Sequence, residues 1–420
     1  MGRIRTDRQR DLSRTFDFVT ISFFLLVLGG RFSLERLTGG AISLGISEIQ
    51  FALIGLGMLA MHAFRGQPRK LSTQLIFPLP FFAWALASSL RGELTLQVAA
   101  NTSEMLTLLL IVLMAIFLAR LDPIRFASLF VQASAIAGII FAIAGILLGE
   151  GSRISAFGGG PNVFGRVTGV GAVAALYLVL TNKPTRLLWI GALPIMVAAT
   201  ILSGSRGAML GLSVGLVALV PMLRAVRVRP KGVGIAVLTT ISLIGAAYLF
   251  RERLMPVIQL RVIDLTINER YTSGRDGITD IAIQLFKEKP IFGWGLFSFE
   301  TQASATTGLT YPHNLVLQIA AELGLFGIVL FALILLQWLF SMKRSFESTL
   351  ATIANSILLL YFTVSMFSGD YYDARQFFIF SVIVVAIRRS ITNQGSSAPA
   401  SSLMDPNWVP RATSTGQSGA

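Results

Sequence analysis

Apolar residues in this chain run on without alternation. They form stretches near 16–30, 46–63, 75–90, 105–119, 126–148, 167–180, 187–202, 208–222, 233–250, 315–340, 349–367 and 376–387. A helix of roughly 20 apolar residues crosses a bilayer core, and a lone strand cannot satisfy its backbone there. The pattern therefore predicts an all-α polytopic membrane protein of about twelve transmembrane helices. Several runs are shorter than a full crossing. The first run has no small-residue cleavage site after it, so it reads as a retained span rather than a signal peptide.

One polar interval is long, residues 251–312. It mixes Arg251, Arg253, Arg261, Arg270, Arg275, Lys287 and Lys289 with Glu252, Asp264, Glu269, Asp276, Asp280, Glu288 and Glu300. Such a loop reads as a small folded cap rather than a connector. Inside it Ile278, Ile281, Ala282, Leu285 and Phe286 recur at helical spacing, and Lys289-Pro290 is expected to end that helix. The organisation expected is a basic amino-terminal segment 1–15, spans over 16–250, the cap at 251–312, spans over 313–387 and a tail at 388–420. From 391 on, Ser, Ala, Gly and Pro dominate and predict disorder.

Composition agrees with the membrane reading: of 420 residues 54% are hydrophobic and 13% charged, against roughly 25% charged in soluble domains. The net charge of +14 is explained by topology. Arg3, Arg5, Arg8, Arg10 and Arg14 place the amino terminus in the cytoplasm, and alternation then puts Arg65, Arg69, Lys70, Arg120, Arg125, Arg224, Arg227, Lys343, Arg388 and Arg389 on the same side. The outer loops keep Arg31, Arg36, Arg91, Arg153, Arg166, Arg206 and Arg375, and the cap faces outward. No basic stripe interleaves with aromatics, so nucleic acid is not an expected partner, whereas anionic membrane lipids are. With no Cys and only His62 and His313, the chain lacks the clusters that hold zinc, iron–sulfur or other transition-metal centres. Chemistry without a metal or other cofactor is expected.

Charged residues at membrane depth are costly and ask for a reason. Ser203-Gly204-Ser205-Arg206-Gly207-Ala208 falls between two spans too short for full crossings, so Arg206 belongs at or just below the outer interface, where its guanidinium can fork to a phosphate or snorkel to headgroups. Tyr311-Pro312-His313-Asn314 stands where the cap meets the tenth span, and His313 can trade a proton near neutral pH or simply pack at a helix start. Glu322 lies about 13 Å further along that helix at 1.5 Å rise per residue. Thr272-Ser273-Gly274-Arg275-Asp276 and Gly293-Trp294-Gly295 are weaker signals, as is Gly158-Gly159-Gly160-Pro161-Asn162 between Arg153 and Arg166. Gly207, Gly211 and Gly215 recur every fourth residue, a spacing that suits close helix packing.

Taken in order, SGSRGA (203–208), SGR (273–275) in the long outer loop and PHNLVLQIAAELGLFG (312–327) resemble the O-antigen ligase and polymerase superfamily of bacterial membrane glycosyltransferases. The likeness covers about 150–340. It implies a C-type membrane glycosyltransferase fold in the inner membrane, with both termini cytoplasmic and the active site facing the periplasm. It also implies transfer of a glycan from undecaprenyl diphosphate without a metal. On the matching positions Arg206 and Arg275 would grip the diphosphate, and His313 would orient or deprotonate the acceptor hydroxyl. Arg166, Arg153, Asn314, Asp276 and Glu322 are weaker candidates, with Glu322 expected to be structural. The single large loop before the histidine span favours a ligase, with lipid A-core as acceptor. The alternative is a polymerase extending lipid-linked repeat units. A secondary transporter would predict inverted repeats and midplane charges, which the chain does not display.

Overall fold

The computed structural model describes residues 2–29, 54–58, 73–91, 96–149, 153–182, 184–220, 230–268, 276–307, 311–342 and 348–395. These are helical, with no strand among them. The helices are α1 (Gly2–Gly29), α2 (Leu79–Ser88), α3 (Leu96–Leu121), α4 (Pro123–Leu148), α5 (Gly160–Thr181), α6 (Arg186–Leu202) and α7 (Arg206–Val217). They continue as α8 (Pro230–Leu249), α9 (Arg251–Ile258), α10 (Asp276–Glu288), α11 (Ser298–Thr307), α12 (Leu315–Met342), α13 (Thr349–Ser365) and α14 (Arg375–Gly395). Five described helices carry stretches long and apolar enough to cross a membrane: Leu12–Gly29, Thr102–Leu121, Pro123–Leu148, Gly160–Thr181 and Leu315–Met342.

Several expectations change. The runs at 187–202, 208–222 and 349–367 form helices shorter than a full crossing. The run at 75–90 is divided at Pro78, whose ring ends the turn Thr73–Ile76 and starts α2. Most of the 46–63 run lies outside the described residues, as does 396–420. The amino-terminal segment is helical from Gly2 and continuous with the first span, and α14 runs to Gly395, past Arg388 and Arg389 where the tail was expected to begin.

The centre is built by α4, α5 and α6 packed on one another, with α7 and α13 on α5 and α14 against α3, α4 and α13. Small residues set these approaches. A Cβ on Gly138 would lie 2.5 Å from the Cα of Gly171, so α4 and α5 meet backbone to backbone. Along α7, side chains at Gly207, Gly211 and Gly215 would strike Phe367, Val364 and the Ser356 carbonyl respectively, so the glycine stripe seats α13. Aromatic rings fill the other side, where Phe81 and Phe82 of α2 meet Phe331 of α12 and Phe378 of α14 at centroid distances of 5.0–5.9 Å.

The described parts of 251–312 are largely helical. Among them α10 ends at Glu288, just before Lys289-Pro290, and buries Ile278, Ala282 and Leu285 against Phe299, Ala303 and Ala321. It docks on α12 where that helix breaks. Gly324 (φ 67°, ψ −165°) interrupts α12 in a conformation open only to glycine, freeing backbone groups on both sides. The loop 290–295 pairs with them: Trp294 N–H donates to the Ala321 carbonyl (3.1 Å), Gly295 N–H to Glu322 (2.8 Å), Leu325 N–H to Pro290 (2.8 Å) and Phe326 N–H to Ile291 (3.1 Å). The Trp84 indole donates to the Leu323 carbonyl, and the Leu296 amide to Ser88 Oγ. A broken membrane helix is tolerated because the freed groups find such partners.

Candidate functional site

The turn 203–208 shows why its small residues surround one arginine. Ser203 Oγ accepts from the Ser205 amide at 3.1 Å, Gly204 turns the chain at φ 61°, and Ser205 caps α7 by accepting from Ala208 N–H. Arg206 is then the first residue of α7, half-buried at its amino end. Gly165 of α5 gives the turn room, since a Cβ there would press on Ser203 Oγ and Ala208.

Arg153 crosses the same turn. Its Nε donates to the Ser203 carbonyl at 3.1 Å and its stem lies against Gly204, while Nη2 donates to Asn162 Oδ1 at 3.2 Å. Burial, then the neighbouring positive charges of Arg261 and Arg206, hold the Arg153 guanidinium below its ordinary range. Arg206 and Arg261 thus lie close enough to Arg153 for their charges to act on it. Positive charge beside the amino end of α7 favours an anion there.

His313 follows the buried Pro312 and has φ 55°, a left-handed conformation uncommon outside glycine. Asn314 next to it caps α12, its Oδ1 accepting from the amides of Val316 (3.0 Å) and Leu317 (3.1 Å). The Asn314 side chain is thus committed to the helix end, and the turn fixes the direction of the imidazole. The Tyr311 ring meets His313 edge-on at 4.5 Å.

Tyr311 also forms one wall of a cavity of about 230 Å³ bounded by Gly160, Asn162, Arg166, Asp373 and Arg375. Arg166, one turn into α5, is 6% exposed and donates through Nη1 to the Asp373 carbonyl at 2.9 Å. Arg375, at the start of α14, donates to the carbonyls of Val27 (2.8 Å) and Tyr372 (2.9 Å). Asn162 Nδ2 reaches Ser368 Oγ at 3.3 Å. The amino ends of α5 and α14 thus line one cavity, with Tyr311, four residues before α12, as a further wall.

Of the residues singled out in the sequence, the structure brings Arg153 near Arg206, and Tyr311, whose ring meets His313, lines one cavity with Arg166. Glu322 is fully buried at the break in α12, facing the backbone amides of Phe297 and Phe299, the Tyr371 hydroxyl and Gln318. Arg275 lies outside the described residues, and Asp276 is placed only as the first residue of α10. The sequence reading passed over Arg261, Asn162, Asp373 and Arg375 as site residues. The signal for the last two was Asp370-Tyr371-Tyr372-Asp373-Ala374-Arg375, a charged cluster in a short loop between two apolar runs.

No curated protein matches this chain. A family model described as O-Antigen ligase matches residues 191–332, from within α6 through the cap and His313 to beyond the break in α12. Arg153, Asn162, Arg166, Asp373 and Arg375 lie outside the matched stretch. Residues 191–332, carrying Arg206, Arg261 and His313, are therefore similar to the O-antigen ligase family, a match that supports a membrane protein with a function of the O-antigen ligase or polymerase type.

Proposed function

We propose that this protein moves an undecaprenyl-diphosphate-linked glycan to an acceptor on the periplasmic side of the bacterial inner membrane, as a ligase whose acceptor is lipid A-core. The observation that carries this reading is Arg153 lying across the turn that starts α7 at Arg206, bonded to the Ser203 carbonyl and to Asn162, which lines the same cavity as Tyr311, the ring against His313. In this reading the chain crosses the membrane about twelve times with both termini cytoplasmic, and 251–312 is the periplasmic cap.

In the reaction the bond from the anomeric carbon to the diphosphate oxygen breaks as the acceptor oxygen bonds to that carbon. Negative charge grows on the departing lipid diphosphate, and Arg206, with Arg275 from the cap, offsets it through paired hydrogen bonds. Arg153 and Arg261 add to the same field. His313 takes the proton of the acceptor hydroxyl. The guanidinium groups supply the charge compensation, so the step is written without a metal.

The test is deletion in the source organism, complemented with wild type or His313→Ala, with lipopolysaccharide, free polysaccharide and lipid-linked glycans resolved by size. Long lipid-linked polymer beside bare lipid A-core is expected. Single repeat units where polymer should be would replace ligase by polymerase. No change in any glycan pool would overturn the reading and turn attention to transport.

A further inference from the structure

The cavity beside Tyr311 contains an arginine that the transfer reaction has not used. Arg166 is more than nine-tenths buried, yet its Nε makes no hydrogen bond and its Nη2 reaches Asp373 Oδ2 only at 4.0 Å, beyond hydrogen-bond range. Leaving charged donors unsatisfied in a buried site is destabilising. Were Asp373 simply their counter-ion, the pair could close to about 2.8 Å. Instead Asp373 stands 4.0 Å from Arg166 and 3.8 Å from Arg375, and Arg166 is tied to the Asp373 backbone carbonyl.

Two cations against one carboxylate leave this cavity net positive. Its floor is the amino end of α5, where Gly159, Gly160 and Asn162 line the space and Gly160, at φ 70°, has open room around it. At about 230 Å³ it falls below the roughly 300–1,000 Å³ of pockets for drug-sized ligands, so it fits a small charged group and not a sugar chain.

We infer that this cavity is a second anion subsite, separate from the Arg153–Arg206–Arg261 cluster, and that it binds a phosphate or diphosphate carried by the acceptor substrate. The inference rests on the glycosyl-transfer reading above. An anion seated on Arg166 Nε and Nη2 lies one tyrosine ring from His313, which places the acceptor's anchored end beside the group that takes its proton. Apart from Tyr311, the residues that line this subsite fall outside 191–332. A transferase can thereby keep its donor machinery while its acceptor recognition is set elsewhere in the chain.

The experiment uses the full chain in nanodiscs of neutral phosphatidylcholine, titrated calorimetrically with inorganic pyrophosphate and with inorganic phosphate. Two pyrophosphate sites are expected. Arg166→Lys should weaken one at least about tenfold by losing the fork, and Arg206→Lys should weaken only the other. Gln376→Glu is the second variant; it leaves the Arg166 tie to Asp373 in place and puts a negative charge at the cavity wall. In glycan transfer both subsite variants should raise the acceptor KM with the donor KM near wild type. A clear preference of the Arg166 site for pyrophosphate over phosphate would identify a lipid-diphosphate acceptor, and equal binding an acceptor bearing phosphate monoesters. One pyrophosphate site, lost in Arg206→Lys and unchanged in the other two variants, would overturn the inference, as would an unchanged acceptor KM. Failure of the transfer reading looks different: wild type would then move no glycan, however many anions it bound.

Discussion

Substituting Gly324 by Ala tests whether the cap is held by the break in α12. At φ 67° and ψ −165° a side chain costs about 1–3 kcal/mol in backbone strain alone. The new Cβ would lie 2.5 Å from the Gly293 nitrogen and the Ile291 carbonyl oxygen. Both are backbone atoms, so no flexible side chain can give way. Relief requires the 290–295 loop to withdraw, and four backbone hydrogen bonds cross that joint: Trp294 to Ala321, Gly295 to Glu322, Leu325 to Pro290 and Phe326 to Ile291. Losing half of them at about 1 kcal/mol each adds about 2 kcal/mol, for a total of about 3–5 kcal/mol. That is a large part of the roughly 5–15 kcal/mol that holds a typical domain. Gly245→Ala is the control, since a Cβ there meets nothing within 4 Å and replaces a glycine inside α8. In detergent, hydrogen exchange over 276–307 should accelerate in Gly324→Ala and stay at wild-type rates in Gly245→Ala, with the thermal midpoint falling only in the former. Equal protection and equal midpoints in the two variants would refute the proposal that this joint holds the cap.

The remaining predictions concern the charges. Arg206→Lys should lose most glycan transfer, on the order of a hundredfold, because a point ammonium cannot reproduce two parallel hydrogen bonds; wild-type turnover would remove Arg206 from the donor site. His313→Ala should insert normally in the membrane and lose transfer by about 10²–10⁴-fold, and retained transfer would move the acceptor base elsewhere. Arg153→Lys should make transfer pH-dependent. A lysine ordinarily titrates near 10.4, and the burial and positive neighbours that depress Arg153 would depress it too. The variant therefore loses its proton, and its hold on the diphosphate, as pH rises. The donor KM relative to wild type should climb between about pH 7 and 10, and a flat ratio would place Arg206 and Arg261 out of its reach.

The five membrane-length helices were legible because lipid imposes a single demand, a continuous apolar helix, that a sequence displays directly. The interruptions were not. A hydropathy window averages across Gly324 and Pro78, whereas the chain breaks at each for local backbone reasons. The cap helix was legible from the spacing of Ile278, Ala282 and Leu285, and its end from Lys289-Pro290. The meeting of Arg153, Arg206 and Arg261 was hidden, since it joins residues over a hundred positions apart through packing of α5, α6, α7 and the cap. Arg375 and Asp373 were hidden differently. Sitting at the start of a span, they look like charges left at the interface, and only their approach to Arg166 gives them another meaning.

The motif residues divide between chemistry and the shaping of the chain around it. In SGSRGA a single side chain, Arg206, is charged; the serines and glycines build the turn, the cap and the space for α5 and α13. In PHN, Asn314 fixes the helix end and the left-handed His313 is aimed by it. GWG and ELG, far apart in sequence, are two halves of one joint. A short motif match therefore reports mostly a rigid frame that presents one arginine and one imidazole. The proposed acceptor subsite lies outside that frame: Arg166 is buried, bonded through Nη1 to the Asp373 carbonyl, and keeps Nε and Nη2 for a ligand in the cavity walled by Tyr311, the ring against that imidazole.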